Sequence, residues 1–126
     1  MEFIRASLGQ LQLAVELRLI SSVLDAQQGQ ALRLLDPRPL LGQEGAAIRH
    51  IGLLRTTTGP PLGLCLGEVR GVARLDAGQL YSLPPWLRQH LPSLLYPACA
   101  LDPSGELLWL LNPRPLWENP MLDAAP

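Results

Sequence analysis

The chain of 126 residues, with an apolar fraction of 48% and a formal net charge of −1, has the size and composition of one globular domain. The 10 basic residues, all arginine, are balanced by 11 acidic ones, which excludes the strongly basic surface that nucleic acid or an anionic membrane requires. No apolar run approaches the roughly 18 residues of a membrane span, and the opening MEFIRASLGQ lacks the pattern of a signal peptide. We therefore expect a cytoplasmic protein without direct membrane insertion and without a nucleic-acid partner.

The N-terminal half predicts short strands interrupted by turns. Apolar residues alternate in GQLQLAVEL, which is typical of a half-buried strand. The next segment places Leu17, Ile20 and Leu24 at helical spacing, so residues 17–27 are predicted to form two or three helical turns. The apolar run ALRLLDP then closes on a proline, as a strand that stops abruptly does.

The C-terminal half repeats this organisation. GLCLGEV alternates and ELLWLLNP closes on a proline, so both segments predict strands. PPWLRQHL begins with Pro84 and Pro85, which suit the first turn of a short helix. Residues 119–126 predict a C-terminal tail. With 11 glycines and 13 prolines, the chain has little room for helices of ten residues or more, so strands are favoured although β-branched residues are few.

One long segment of the chain is nearly duplicated. GQALRLLDPRPL at 29–40 returns as GELLWLLNPRPL at 105–116, with eight of twelve positions identical and an offset of 76. Upstream, LQLAV at 11–15 resembles LGLCL at 62–66, at an offset of 51. The second half therefore carries 25 additional residues, which the sequence places within 78–104. An internal duplication of short strands predicts a mainly β fold with two small barrel lobes related by a pseudo-twofold axis.

These segments, in this order, resemble the CheW-like domain of bacterial chemotaxis coupling proteins. EFIRASLGQLQLAVELRLISSV is similar to the family's opening strand pair, and GQALRLLDPRPLLG to its strand with an Asp and an Arg, here Asp36 and Arg38. PLGLCLGEVRGVARLDAGQLYSLP resembles the family's G-L-x-V-D-x-V segment almost without gaps, and GELLWLLNPRPLWE resembles its closing strand. The resemblance predicts a single CheW-like domain over residues 1–118, made of two intertwined β lobes.

The resemblance implies both an architecture and a role. The architecture is two SH3-like β-barrel lobes with short helices. The role is that of a non-catalytic adaptor or scaffold in chemosensory signalling and motility. Such an adaptor links the cytoplasmic tips of methyl-accepting chemoreceptors to the regulatory domain of a CheA-type histidine kinase, or modulates that link. Members of the family bind through apolar positions in the groove between the lobes and along exposed strands.

Two departures from the family pattern favour a shortened, accessory member. The connection that precedes the family's N-L-R-G motif is missing, so Gly29 fits its Gly and Gln28 stands where a receptor-contacting Arg is implied. Gly67 replaces the Asp of the V-D-x-V segment, with Glu68 beside it. We therefore expect one partner surface to be lost, and a Frz-type system of gliding motility is one setting for such a short member.

Five residues are candidates for the receptor- or kinase-binding surface: Ile20, Gln28, Leu66, Val69 and Trp86. The resemblance places Ile20 at an apolar groove position, whereas its bare sequence context predicts a core residue. Trp86 is an aromatic residue that the strand pattern does not require inside, which favours either an interface anchor or a cover over a barrel end.

No set of residues predicts catalysis or a bound cofactor. His50 and His90 lie 40 residues apart without ligands at metal spacing, so we expect no metal. No serine lies in a nucleophile context, and prolines occupy the glycine-rich stretch GPPLGLCLG where a phosphate loop needs amides. Cys65 and Cys99 stand in apolar surroundings and predict reduced core thiols.

The alternative function is a small-ligand-binding β-barrel domain. Such a domain would need a polar cluster inside the groove. In the sequence only Glu16 and Glu68 offer themselves for it.

Overall fold

The computed structural model describes residues 1–29, 32–55 and 59–118, and it shows a mainly β protein. Its strands are β1 (Glu2–Leu8), β2 (Leu11–Glu16), β3 (Ile20–Asp25), β4 (Arg33–Leu35), β5 (His50–Leu54), β6 (Leu62–Leu66), β7 (Glu68–Arg74), β8 (Leu80–Ser82), β9 (Leu95–Leu101) and β10 (Leu107–Leu111). Its helices are α1 (Pro85–Arg88) and α2 (Arg114–Glu118), and 3-10 turns cover Leu17–Leu19, Ala26–Gly29, Pro39–Leu41 and Ala77–Gln79.

The strands form a larger sheet in the order β7-β1-β2-β10-β9-β8 and a smaller sheet in the order β3-β5-β6-β4. Each sheet is built on an antiparallel hairpin, β1–β2 in the larger and β5–β6 in the smaller. The two-lobed, mainly β fold with short helices is thereby confirmed. Among the described residues, each sheet has two end strands that pair with only one neighbour, so both sheets are open. The expected closure of each lobe into a barrel is therefore not formed by these backbone hydrogen bonds.

The two hairpins exchange their next strands. β3 follows β2 in sequence but pairs with β5, and β7 follows β6 but pairs with β1. The second crossing runs through Gly67, whose amide donates to the carbonyl oxygen of Ser7 at 2.8 Å. A Cβ on Gly67 would lie 2.3 Å from that oxygen, so a side chain cannot be placed where the two lobes touch.

The duplicated segments occupy equivalent places in the two sheets. β4 runs parallel to β6, and β10 runs parallel to β2. The turn after each strand is closed in the same way, because the Arg38 amide donates to Oδ1 of Asp36 at 3.0 Å and the Arg114 amide donates to Oδ1 of Asn112 at 3.2 Å. In the part of the chain that the structure describes, β8, α1 and β9 have no counterpart in the smaller sheet, which confirms the predicted position of the insertion.

Two clusters of buried residues stabilise the fold. The main core draws on both sheets and holds most of the fully buried leucines, namely Leu8, Leu13, Leu35, Leu64, Leu66, Leu94 and Leu111. The second cluster lies on the opposite face of the larger sheet and consists of Phe3, Ala14, Leu75, Ala100, Leu108 and Leu110. Because successive residues of a strand point to opposite faces, Phe3 and Ile4 belong to different clusters.

The helical prediction for residues 17–27 is wrong. Leu17–Leu19 form a 3-10 turn, Ile20–Asp25 form β3, and residues 26 and 27 begin a second 3-10 turn. The helical spacing of apolar residues does not reflect a helix here. β3 is stabilised by its hydrogen bonds with β5, and not by a helical apolar face within the segment.

The other predicted helix is confirmed in a short form. It starts at Pro85 and covers four residues, Pro85–Arg88. The sequence did not predict α2, in which the second Pro-Arg-Pro tripeptide enters a helix while the first enters a 3-10 turn. The predicted tail, residues 119–126, lies outside the described residues.

Candidate functional site

The predicted core thiols are confirmed, since Cys65 and Cys99 are both free and buried. Burial raises the pKa of Cys65 to about 11, so its reactive thiolate is scarce at neutral pH. Among residues 1–29, 32–55 and 59–118, no three His, Cys, Asp or Glu side chains come together in a way that would hold a metal ion. None of the helices in these ranges has the length and apolar character needed to span a membrane.

Ile20 and Leu66, two of the candidate partner residues, meet inside the smaller lobe. A Cβ added to Gly52 of β5 would lie 3.0 Å from Cδ1 of Ile20 and 3.7 Å from Cδ1 of Leu66, so both side chains converge on that glycine. Their exposed fractions are 3% and 1%. Both residues belong to the main core in this structure, and a partner contact through either stays a prediction.

Val69 and Gln28 lie on either side of His50. The Val69 amide donates to Nδ1 of His50 at 3.0 Å, which leaves Nε2 to carry the proton of the neutral imidazole. His50 is the cross-strand partner of Asp25, whose amide donates to Oε1 of Gln28 at 3.0 Å. Gln28, His50 and Val69 therefore form a connected strip, the His50 strip, that runs from the turn after β3 across β5 to β7.

The side chain of Gln28 also has a structural task. At the matching turn after β7, the Asp76 amide donates to Oε1 of Gln79 at 2.8 Å, as the Asp25 amide does to Gln28. The two turns are equivalent parts of the duplication, and in both a glutamine closes the turn. Turn geometry thus accounts for a glutamine at this position, and its role toward a partner stays a prediction.

Trp86 is 67% exposed and lies on α1, within the insertion of the larger sheet. In the same sheet, the strand register places Tyr81, Leu101 and Leu107 on one face, here called the insertion face. These three side chains are 51%, 41% and 39% exposed. Large apolar side chains left in solvent mark surfaces that bind other molecules. Sequence reasoning missed the insertion face, because alternation shows which residues share a face but not which face stays uncovered.

A charge network that the sequence did not predict ties β1 to the connection between β9 and β10. Nη2 of Arg5 donates to Oδ2 of Asp102 at 2.8 Å and to Oε2 of Glu106 at 3.3 Å. Oδ1 of Asp102 accepts the Ser104 hydroxyl at 2.6 Å and the amides of Ser104 and Glu106 at 2.9 and 2.8 Å. The hydrogen bond from the Ser104 hydroxyl, followed by that from the Glu106 amide, holds the pKa of Asp102 below its ordinary value of 3.8.

This network makes stability depend on pH in a definite direction. Folding lowers the pKa of Asp102. The ionised carboxylate therefore contributes its full stabilisation of the folded state above its ordinary pKa, and this stabilisation is lost as the pH falls through the lowered pKa. We expect Asp102→Asn to be less stable than the wild type at neutral pH and the difference to shrink below about pH 4. Urea unfolding followed by tryptophan fluorescence over this range measures it. A difference that is the same at acid and neutral pH would contradict the prediction.

An open pocket of about 510 Å³ lies where β2 crosses over to β3. Its charged lining consists of Glu2, Glu16, Arg18, Arg55 and Arg74. Glu16 is buried and forms an ion pair with Arg18. Of the two glutamates that the sequence offered for a polar cluster, the structure places Glu16 in this pocket and leaves Glu68 exposed at the start of β7.

The fold defined by these two interlocked sheets is that of CheW-type scaffolding proteins. The crystal structure of the scaffolding protein TtCheW from Thermoanaerobacter tengcongensis is similar to this chain with a TM-score of 0.67, at 11% sequence identity and over 87% of each chain. No protein-family model and no curated protein matches the chain. At this low identity the likeness shows the fold, and it confirms the predicted resemblance at that level.

Proposed function

We propose that this chain is a non-catalytic adaptor of a bacterial chemosensory system, acting in the cytoplasm with residues 1–118 as one CheW-like domain. The observation that carries the proposal is the likeness over 87% of the chain to a protein described as a scaffolding protein. The proposed partners are the tip of a methyl-accepting chemoreceptor and the regulatory domain of a CheA-type histidine kinase.

The placement of the candidate surfaces supports an adaptor. An adaptor that holds two partners at once needs two separate surfaces. The His50 strip reaches β7, one end strand of the larger sheet. The insertion, which carries Trp86 and also Tyr81 and Leu101 of the insertion face, includes β8, the other end strand. Partners bound at these opposite edges would not compete for the same residues.

The proposal extends to a shortened, accessory member such as a Frz-type protein. The smaller sheet has four strands in the described residues, against six in the larger sheet. The turn Ala26–Gly29 follows β3 directly, at the place where the family's longer connection is absent. A partner surface that depends on that connection would be the one that this chain lacks.

Trp86→Ala is the first variant to test. We expect it to weaken binding to at least one partner about tenfold or more, because an exposed aromatic anchor contributes strongly to an interface. Calorimetric titration of the full chain with a receptor tip, and separately with a kinase regulatory domain, measures this.

Leu34→Ala is the matched control for this experiment. Leu34 is 44% exposed and lies on β4, outside both candidate surfaces, so its variant should bind as the wild type does. If the wild type bound neither partner, the adaptor proposal would fail. Equal losses in both variants would remove Trp86 from the binding surface.

A further inference from the structure

Three arginines from separate parts of the chain meet at the pocket between β2 and β3. Arg18 lies in the turn after β2, Arg55 follows β5 and Arg74 ends β7. Glu2 and Glu16 share the lining, so its side chains carry a formal charge of +1. The N-terminal ammonium of Met1, which also lines the pocket, raises this to +2, although the whole chain carries −1. The pocket is therefore a local concentration of positive charge on an acidic protein.

Two of these guanidinium groups are held in place by their Nε atoms. Nε of Arg55 donates to the carbonyl oxygen of Ile20 at 3.3 Å, and Nε of Arg18 donates to Oε2 of Glu16. Both bonds leave the terminal Nη1 and Nη2 groups available. A guanidinium fixed in this way keeps a planar pair of donors whose geometry matches the two oxygens of a carboxylate.

The charge of Arg55 and Arg74 is not neutralised by a neighbouring acid. The ion pairs among the described residues involve other basic groups, and no carboxylate in these ranges lies within 4.0 Å of either guanidinium. Glu2 is the cross-strand partner of Arg74 in the β1–β7 ladder, yet the two side chains form no ion pair. Glu16, by contrast, is occupied by Arg18.

We infer that this pocket binds a carboxylate, supplied by a glutamate- or aspartate-rich peptide segment of another protein. The planar donor pairs of Arg18 and Arg55 match the two oxygens of a carboxylate, and a segment with several carboxylates can compensate more than one of the positive charges of the pocket. Leu17 and Met1 also line the pocket and offer apolar contact to the methylene groups of such a side chain. A free polycarboxylate presents the same chemistry and is the other source to be separated by experiment.

The test uses the full chain with two probes. Anisotropy measures binding of a labelled polyglutamate peptide, and calorimetry measures binding of citrate, both at low and at physiological salt. We expect Arg74→Gln to weaken binding of the peptide about tenfold, and Arg55→Gln combined with Arg74→Gln to weaken it further. The salt dependence of binding should fall in both variants, because fewer ionic contacts remain.

Arg70→Gln is the matched control, since Arg70 is an exposed arginine on the same strand but outside the pocket lining. It should leave the affinity unchanged within about twofold. An equal loss in Arg70→Gln would overturn the inference in favour of diffuse attraction to the surface. Binding of citrate alone, with the same dependence on Arg74, would support the carboxylate pocket and overturn the peptide as its source.

Failure of this inference and failure of the adaptor proposal are distinguishable. A chain that bound a receptor tip or a kinase domain, but neither carboxylate probe, would remove the pocket and leave the adaptor in place. A chain that bound polyglutamate through Arg55 and Arg74, but neither signalling partner, would remove the adaptor proposal and leave the carboxylate pocket in place.

Discussion

Replacing Gly67 by alanine should lower the free energy of unfolding by about 3 kcal/mol, because the new methyl group has nowhere to go. Its Cβ would lie 2.3 Å from the Ser7 carbonyl oxygen and 3.3 Å from Cα of Leu8, and these backbone atoms cannot rotate away as a side chain could. To remove this steric overlap, β1 and β6 must separate, which also stretches the hydrogen bond from the Gly67 amide to the Ser7 carbonyl oxygen. Urea unfolding followed by tryptophan fluorescence measures the loss.

Gly78→Ala is the control for this experiment. Gly78 lies in the 3-10 turn Ala77–Gln79, and a Cβ added there meets nothing within 4 Å. The variant should match the wild type or gain about 0.5 kcal/mol, because alanine restricts the unfolded chain more than glycine does. If both alanine variants unfolded alike, steric contact at the lobe crossing would not be the reason why a glycine occupies position 67.

Leu35→Ala and Leu111→Ala should each lower the free energy of unfolding by about 3 kcal/mol. The two leucines are equivalent positions of the duplicated segment, on β4 and β10, and each is 1% exposed. Both belong to the main core that draws on the two sheets. Each truncation therefore leaves a cavity in the same core, and the two losses should be similar although the residues lie in different sheets.

Leu34→Ala serves as the comparison for this pair. Leu34 precedes Leu35 on the same strand but is 44% exposed, so its truncation should cost about 1 kcal/mol or less. Chemical unfolding of the three variants under identical conditions measures the contrast. A large loss in only one of the two buried positions would mean that the lobes do not share one core energetically.

The architecture could be predicted from the sequence because its strongest signal is a repeat. The duplicated segment ending in Pro-Arg-Pro located β4, β10 and the insertion, and the alternation around LQLAV and LGLCL located β2 and β6. These signals are local in sequence, and each indicates a strand with one buried face. Leucine is abundant and β-branched residues are few, which does not favour strands by propensity alone. The close spacing of glycine and proline nevertheless predicts strands, and the structure confirms them.

The features that escaped prediction depend on contacts between distant parts of the chain. β3 has helical spacing and becomes a strand only because β5 lies beside it. The ion pair of Arg5 with Asp102 joins residues 97 positions apart, and the sequence around either residue does not indicate its partner. The arginine pocket is likewise assembled from segments that meet only after the hairpins have exchanged their strands.

The candidate surface was predictable only in part. Trp86 could be identified as a candidate because the strand pattern does not require it inside, and the structure shows it exposed in the short helix α1. The resemblance predicts a groove position for Ile20, and Leu66 is a further candidate for the partner surface; both are buried in this structure, and a partner contact through either stays a prediction. A sequence pattern gives the spacing of apolar residues, whereas burial depends on which elements finally cover them.

The strand exchange has a consequence for how the chain folds. β1 with β7, and β3 with β5, are pairings between segments far apart in sequence, so neither sheet is complete until both hairpins have formed. Such pairings raise the contact order, and they incur the entropy of closing long loops before the strands stabilise one another. Folding should therefore be slow for a chain of this size and should show a single cooperative transition, because neither lobe can melt while the other stays intact.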